Sequence, residues 1–176
     1  MKMEKLKVLL VDDEREFVES LSERLQLRKL KAEVAYDGEQ ALRAIEEGEP
    51  DVMVLDLRMP GIDGMKVLRQ VKKKHPHVKV LVLTGHGTDK DEKEAMRLGA
   101  SAYLKKPVDV DQLVGTLHRV WNRLKRSKDA VDTILMAAAF AQGGETEIAR
   151  ATMAEFMDKE DEVRDGETRP LAPHRD

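Results

Sequence analysis

An open α/β fold, with five parallel strands in the order 2-1-3-4-5 wrapped by helices and a C-terminal α-helical extension, is what the sequence predicts. Three observations carry this. Short apolar runs alternate with amphipathic stretches through residues 1–125. Most of the runs hold Val and Leu at both parities, as strands covered on both faces do. Gly and Pro punctuate the joints between runs, as at Gly48, Pro50, Pro60, Gly61, Pro76 and Gly99.

Taken in order, the first strand is read over 7–12 and its helix from Phe17, Leu21 and Leu25, four residues apart on one face. A second strand over 31–36 leads to a helix carrying Ala41, Leu42 and Ile45. The third strand, 51–56, precedes a helix with Val67, Leu68 and Val71, and the fourth, 78–84, one with Ala95, Met96 and Leu98. The fifth, 101–104, leads to a last helix with Leu113, Leu117, Val120 and Leu124. Right-handed crossovers restrict such a unit to a few topologies, of which 2-1-3-4-5 is common at this size. That order makes strands one and three neighbours and puts a ligand crevice at their C-terminal ends.

Composition removes several function classes. The 176 residues include no cysteine, which excludes disulfides, thiolate metal sites and a cysteine nucleophile, so any metal is held by oxygen or imidazole. No stretch approaches the roughly 18 apolar residues of a membrane span. The first apolar run is too short for a secretory signal, so a cytoplasmic protein is expected. The net charge of -3 divides unevenly: residues 1–125 carry +2 and residues 126–176 carry -5. An acidic extension is a poor match to phosphate backbones, and no nucleic-acid partner is expected. No Gly-rich nucleotide loop is present.

The strand ends hold the candidate site. Strand one ends in Asp12-Asp13 and strand three in Asp56, so the topology gathers three carboxylates whose repulsion a hard cation would relieve; Mg²⁺, which prefers oxygen ligands, fits. Strand four ends in Thr84, followed by Gly85, which leaves room for a bulky group, and strand five is followed by Lys105-Lys106-Pro107. Singly, each has a plain structural reading: Asp13 or Glu14 as a helix start, Thr84 as a strand-end hydroxyl, Lys106 as a solvated cation. Acid, hydroxyl and ammonium together at four strand ends match the needs of phosphoryl chemistry.

The segments Val-Leu-Leu-Val-Asp-Asp-Glu, Val-Leu-Asp-Leu-Arg-Met-Pro-Gly-Ile-Asp-Gly, Val-Leu-Thr-Gly-His-Gly and Ala-Tyr-Leu-Lys-Lys-Pro-Val-Asp resemble the receiver domain of bacterial two-component response regulators. The resemblance covers about residues 4–125 and implies a flavodoxin-like sheet and a phosphorylation-dependent signalling switch. It implies that Asp56 is the phosphoacceptor, a carboxylate nucleophile taking a phosphoryl group from a sensor histidine kinase or phosphotransfer protein. Asp13 matches the direct metal ligand, Asp12 the acid that orients metal-bound water, and the Arg58 backbone carbonyl a further ligand, with Mg²⁺ as the cofactor. Lys106 matches the Lys that meets a phosphoryl oxygen, with a cis bond to Pro107. Thr84 matches the switch hydroxyl and Tyr103 the aromatic that moves with it. Such a domain catalyses only its own phosphoryl uptake and aspartyl-phosphate hydrolysis and acts through protein contacts, so an enzyme in the ordinary sense is not expected.

Other residues carry less. His86, two places past Thr84, reads either as a gate on water or as a solvated loop residue; His75, His77 and His118 read as surface groups, Lys72-Lys73-Lys74 as a solvated helix end, and the nine Met as core filler. Domains are placed at 1–125 for the receiver, 126–158 for the helical extension and 159–176 for a disordered tail. Val110, Leu117, Leu124, Val131 and Ala138 recur at heptad spacing, with Leu113, Val120, Ser127, Ile134 and Ala141 three places on. Two readings follow: helix five runs on as one rod to Gly143-Gly144 and offers a homodimer seam, or Ser127 or Asp129 caps a separate helix that folds back. A short amphipathic helix is read over 146–158. The functional alternatives are a DNA-binding transcriptional regulator, a single-domain phosphate relay, and an aspartate-nucleophile phosphatase. Arg58 argues against the last, because it stands where a general acid two places after the nucleophile belongs.

Overall fold

The computed structural model describes residues 6–142, 146–148, 150–151 and 153–154. The chain forms two compact units, Met1–Asn122 and Arg123–Asp176. In the first, β1 (Val8–Val11), β2 (Ala32–Ala35), β3 (Val52–Leu55), β4 (Lys79–Thr84) and β5 (Ala102–Lys105) alternate with α1 (Arg15–Leu27), α2 (Gly38–Glu47), α3 (Gly64–Lys74) and α4 (Asp89–Arg97). The sheet is parallel throughout, in the order β2-β1-β3-β4-β5. The fold read from the sequence is thus the fold found, each strand within two residues at either end.

Position in the sheet explains the strand compositions. Every residue of β1 (Val-Leu-Leu-Val) and β3 (Val-Met-Val-Leu) is buried, because helices cover both faces of the central strands. The edge strands β2 and β5 are half-covered and admit Glu33 and Lys105. Leu9, Met53, Leu55, Leu68 and Leu81 sit in the interior with almost no exposure.

Helix starts are fixed by local chemistry. The Asp37 carboxylate accepts the Gln40 N–H at 2.7 Å to begin α2, and Asp63 accepts the Met65 N–H at 2.8 Å to begin α3. Thr88 and Asp91 form a reciprocal capping box on α4. The α1–β2 joint carries no Gly or Pro: Lys29 takes the left-handed conformation, φ 62°, while the Leu30 N–H bonds the Leu25 carbonyl.

Two plain readings need correction. Lys72 is not a solvated helix end, since its ammonium donates to the Val78 carbonyl at 2.9 Å and the Pro76 carbonyl at 3.3 Å, tying α3 to the turn before β4. Burial, then Lys79, lowers its pKa. Methionine is not uniformly interior either: Met53 and Met59 are buried while Met96 and Met136 are exposed.

The last helix, α5, is a single element spanning Val110–Gln142. Asp109 begins it by accepting the Asp111 and Gln112 N–H groups. Ser127 and Asp129 lie within the helix rather than opening a new one, so the continuous reading is the one realised. Val110, Leu113, Leu117 and Val120 are buried, whereas Val131, Ile134, Leu135 and Met136 further along are exposed. The described residues between 146 and 154 are helical. The stop at Gly143-Gly144, the rest of the helix read over 146–158 and the tail over 159–176 lie outside the described residues.

Gly64 shows how tightly α3 is held beneath the site. Its N–H bonds the Leu57 carbonyl, and an added Cβ would lie 2.1 Å from the Asp56 carbonyl oxygen and 2.7 Å from the Leu57 Cα, both backbone atoms. Overpacking of this kind costs about 1–3 kcal/mol. Gly64→Ala is therefore expected to lower the urea midpoint by a corresponding amount, and an unchanged midpoint would contradict the packing described.

Candidate functional site: an acidic crevice at the sheet edge

Strand register builds the site. Val11 pairs with Leu55, so the next residues, Asp12 and Asp56, emerge side by side; the Asp56 N–H bonds the Val11 carbonyl at 2.9 Å. Thr84 pairs with Lys105, and the Lys106 N–H bonds the Thr84 carbonyl at 2.9 Å. The carboxylates of Asp12, Asp13 and Asp56 each present an oxygen within 4.8 Å of the others, an arrangement that can hold a divalent cation. Asp12 is 4% exposed and Asp56 5%, while Asp13 is half-buried.

Lys106 sits in the same crevice, across a cis bond to Pro107. Its ammonium lies 2.7 Å from Asp12 Oδ2 and 3.0 Å from Glu14 Oε1, and 4.2 Å from the centroid of the Phe17 ring. It is therefore engaged with Asp12 and Glu14. Asp56 Oδ1 is buried with no hydrogen-bond partner among the described residues. A buried oxygen left unpaired is costly, and it marks a place where a cation or a donor belongs.

Burial pushes the Asp12 carboxyl above its ordinary range, aided by the Asp56 charge and opposed by Lys106 and the Glu14 N–H. For Lys106, burial pulls the pKa down, but hydrogen bonds to Asp12 and Glu14 outweigh it and the net shift is upward. Both shifts are upward: burial raises Asp12, and more negative charge is gathered here than one ammonium offsets.

Thr84 is fully buried. Tyr103 lies beside it, packed against the core, with its hydroxyl buried and without a hydrogen-bond partner among the described residues. Burial raises the Tyr103 pKa, and the Asp91 and Glu92 charges add to this. The glycine that makes room here is Gly87: an added Cβ would fall 1.7 Å from Tyr103 Oη and 2.8 Å from Thr84 Cγ2. At Gly85, read from the sequence as leaving room for a bulky group, a Cβ would meet the Lys106 side chain at an ordinary 3.7 Å. The His86 side chain is exposed, and its N–H reaches Thr84 Oγ1 at 3.5 Å.

The sequence reading missed three participants. Glu14 was read as a helix start, yet the α1 N-terminus has no side-chain cap and Glu14 reaches Lys106 instead. Phe17 was read only as a core position of α1. Arg58 was read for its backbone carbonyl, whereas its guanidinium crosses to Asp91 at 3.4 Å. Only the run Asp12-Asp13-Glu14, one acid more than the site calls for, could have signalled the first of these.

A family model described as "Response regulator receiver domain" matches residues 8–118. Response regulator MprA of Mycobacterium ulcerans is 34% identical over 132 residues, 74% of this chain and 57% of that protein. MprA of Mycobacterium tuberculosis H37Rv is also 34% identical, over 74% of this chain and 56% of its own length. The chain thus spans little more than half the length of these curated relatives. Among solved structures, a response regulator receiver domain protein from Clostridium thermocellum aligns with a TM-score of 0.65 and 34% identity, over 68% of this chain and 97% of the other. The receiver domain of NtrX from Brucella abortus aligns at 0.61 and 31%, over 64% and 96%.

A pH dependence follows from Asp12. Its pKa is raised on folding, so the stability it contributes is present at low pH and is lost as pH rises through the raised value. Asp12→Asn lacks that loss. The melting-temperature difference, variant minus wild type, is expected to grow as pH rises above the ordinary carboxylate range; a flat or shrinking difference would contradict the assignment.

Proposed function

The chain belongs to the response regulator receiver family, and from that premise we propose that it is a phosphorylation-dependent signalling switch whose acceptor is Asp56. The fold is the one typical of phosphorylation-based two-component signalling, and family membership implies a phosphodonor partner, a sensor histidine kinase or phosphotransfer protein. The observation that carries the reading is the buried, unpartnered Asp56 oxygen beside Asp12, Asp13 and the Lys106 ammonium.

The donor set fits Mg²⁺, being all oxygen and carrying more negative charge than Lys106 balances. Asp13 and Asp56 would hold the ion with the Arg58 carbonyl, and Asp12 would orient its water. Bound there, the ion supplies charge neutralisation for a phosphoryl group. The chain's own residues do the rest. Asp56, fixed by its N–H bond to Val11, presents Oδ1 as the nucleophile. The Lys106 ammonium, held at 2.7 Å from Asp12, is within the crevice to meet an incoming phosphoryl oxygen. Thr84 and Tyr103 form the element that changes with the charge on Asp56, Tyr103 standing inward against Gly87.

The output is contact with another protein. The exposed apolar residues Val131, Ile134 and Leu135 of α5, on one helical face, support a contact surface there, including a second copy of the chain. Among the described residues no helix is long and apolar enough to cross a membrane, and a cytoplasmic location accords with the phosphodonor chemistry.

Asp56→Asn is expected to abolish labelling by acetyl phosphate in the presence of Mg²⁺, while the wild-type chain incorporates about one phosphoryl group. Labelling that persists in the variant would sink the assignment. In sedimentation velocity, beryllium fluoride with Mg²⁺ is expected to drive the wild type toward dimer and to leave Asp56→Asn unchanged. A wild type monomeric in both states would remove the second copy as the occupant of the α5 face.

A further inference from the structure

Arg58 stands two residues past Asp56, in the loop between β3 and α3. Its Nη2 lies 3.4 Å from Asp91 Oδ2. That oxygen is already committed: it accepts the Thr88 N–H at 2.9 Å and the Thr88 hydroxyl at 2.8 Å. The Asp91 N–H returns to Thr88 Oγ1 at 3.2 Å and closes the capping box of α4. One carboxylate oxygen thus serves both as the N-terminal fastening of α4 and as the partner of a cation from the phosphoacceptor loop.

The two sides of this contact are unequal. Asp91 is held by its bonds to Thr88, with a side chain 25% exposed, whereas the Arg58 side chain is 51% exposed and sits at the long end of hydrogen-bond range. Asp89, Asp91 and Glu92 together make the first turn of α4 acidic, and Arg58 offsets part of that charge. Thr88 is separated from Thr84 by the loop whose Gly87 is pressed against Tyr103 Oη. The charges of Asp91, Glu92, Arg58 and Asp56 all act on the Tyr103 hydroxyl, which stands against that same loop. A phosphoryl group on Asp56 would bring about two negative charges and three strong acceptor oxygens to the residue two places before Arg58. Against that, Asp91 offers one oxygen that is already satisfied. The guanidinium goes to the stronger, less occupied acceptor.

We infer that the Arg58 side chain is a positioning group shared between Asp91 and a phosphoryl group on Asp56, so that occupation of the acceptor withdraws the cation from the α4 capping box and loosens the start of that helix. The inference rests on the phosphoacceptor reading of Asp56 and adds to it a charge-operated link to α4 separate from Thr84 and Tyr103. Arg58→Ala keeps the backbone carbonyl and removes the side chain beyond Cβ, the guanidinium with it.

Hydrogen exchange of the Thr88 and Asp91 amides in the full chain reads the link directly. In the absence of any ligand, Arg58→Ala is expected to exchange these two amides about two- to fivefold faster than wild type, the range an ion pair of this exposure supports. Beryllium fluoride with Mg²⁺ is expected to bring wild type to the same rate and to leave the variant unchanged. A ¹⁹F NMR titration of beryllium fluoride separates sharing from simple bracing. Asp91→Asn, which frees the guanidinium, is expected to tighten binding, and Arg58→Ala to weaken it. Shifts in the same direction, or unchanged amide exchange in Arg58→Ala, would overturn the inference while acetyl-phosphate labelling of Asp56 continued. Loss of that labelling in wild type would instead overturn the phosphoacceptor reading, and this link with it.

Discussion

Like charge held out of water at the C-terminal edge of the sheet is the constraint on which the rest of this structure depends. Asp12 and Asp56 are almost fully buried, Asp13 is half-buried beside them, and the Lys106 ammonium faces the group. Carboxylates so placed repel one another far more strongly than they would in water. The surrounding structure therefore reads as compensation: the Lys106 ammonium on Asp12 and Glu14, the Glu14 N–H on Asp12 Oδ1, and a raised Asp12 pKa for what is left. In comparable buried pairs, removal of one partner costs about 3–5 kcal/mol. Such a site is poised to take up cationic or proton-donating groups, because each arrival relieves a cost already present in the fold.

Rigid backbone supplies the frame that tolerates this. The fully buried β1 and β3 put Asp12 and Asp56 in adjacent register, and Gly64 lets α3 approach the Asp56 carbonyl more closely than a Cβ allows. On the other side of the crevice the arrangement is looser. The β4–α4 loop is held by Tyr103 packing on Gly87, by the Thr88–Asp91 capping box and by one long ion pair from Arg58. An exposed ion pair contributes on the order of 0–1 kcal/mol, so that side of the crevice is where a change of charge can be converted into a change of shape.

The second unit presents a different problem. In α5 the apolar spacing that buries Val110, Leu113, Leu117 and Val120 continues through Val131, Ile134 and Leu135, which are exposed. A helix carrying such residues toward water favours association. The same periodicity therefore serves packing in one part of the helix and exposes an apolar face in the other.

The sequence by itself determined the sheet, its order and the membership of the acidic crevice, because strand ends can be counted from apolar runs and right-handed crossovers leave few topologies. Asp12, Asp13, Asp56 and Thr84 were legible for that reason, each lying where a strand stops, while Lys106 rather than Lys105 was singled out by the resemblance to receiver domains. What only the tertiary structure decided depends on where side chains reach after the backbone is set. Lys106 turns to Glu14 and Phe17, Lys72 to the carbonyls of Pro76 and Val78, and Arg58 to Asp91. Long flexible side chains choose partners by their approach in space, from four positions along the chain for Lys72 to ninety-two for Lys106, and no apolar spacing records the choice. That Gly87 accommodates Tyr103 depends on the approach of β5, a distance in space that periodicity along the chain does not encode.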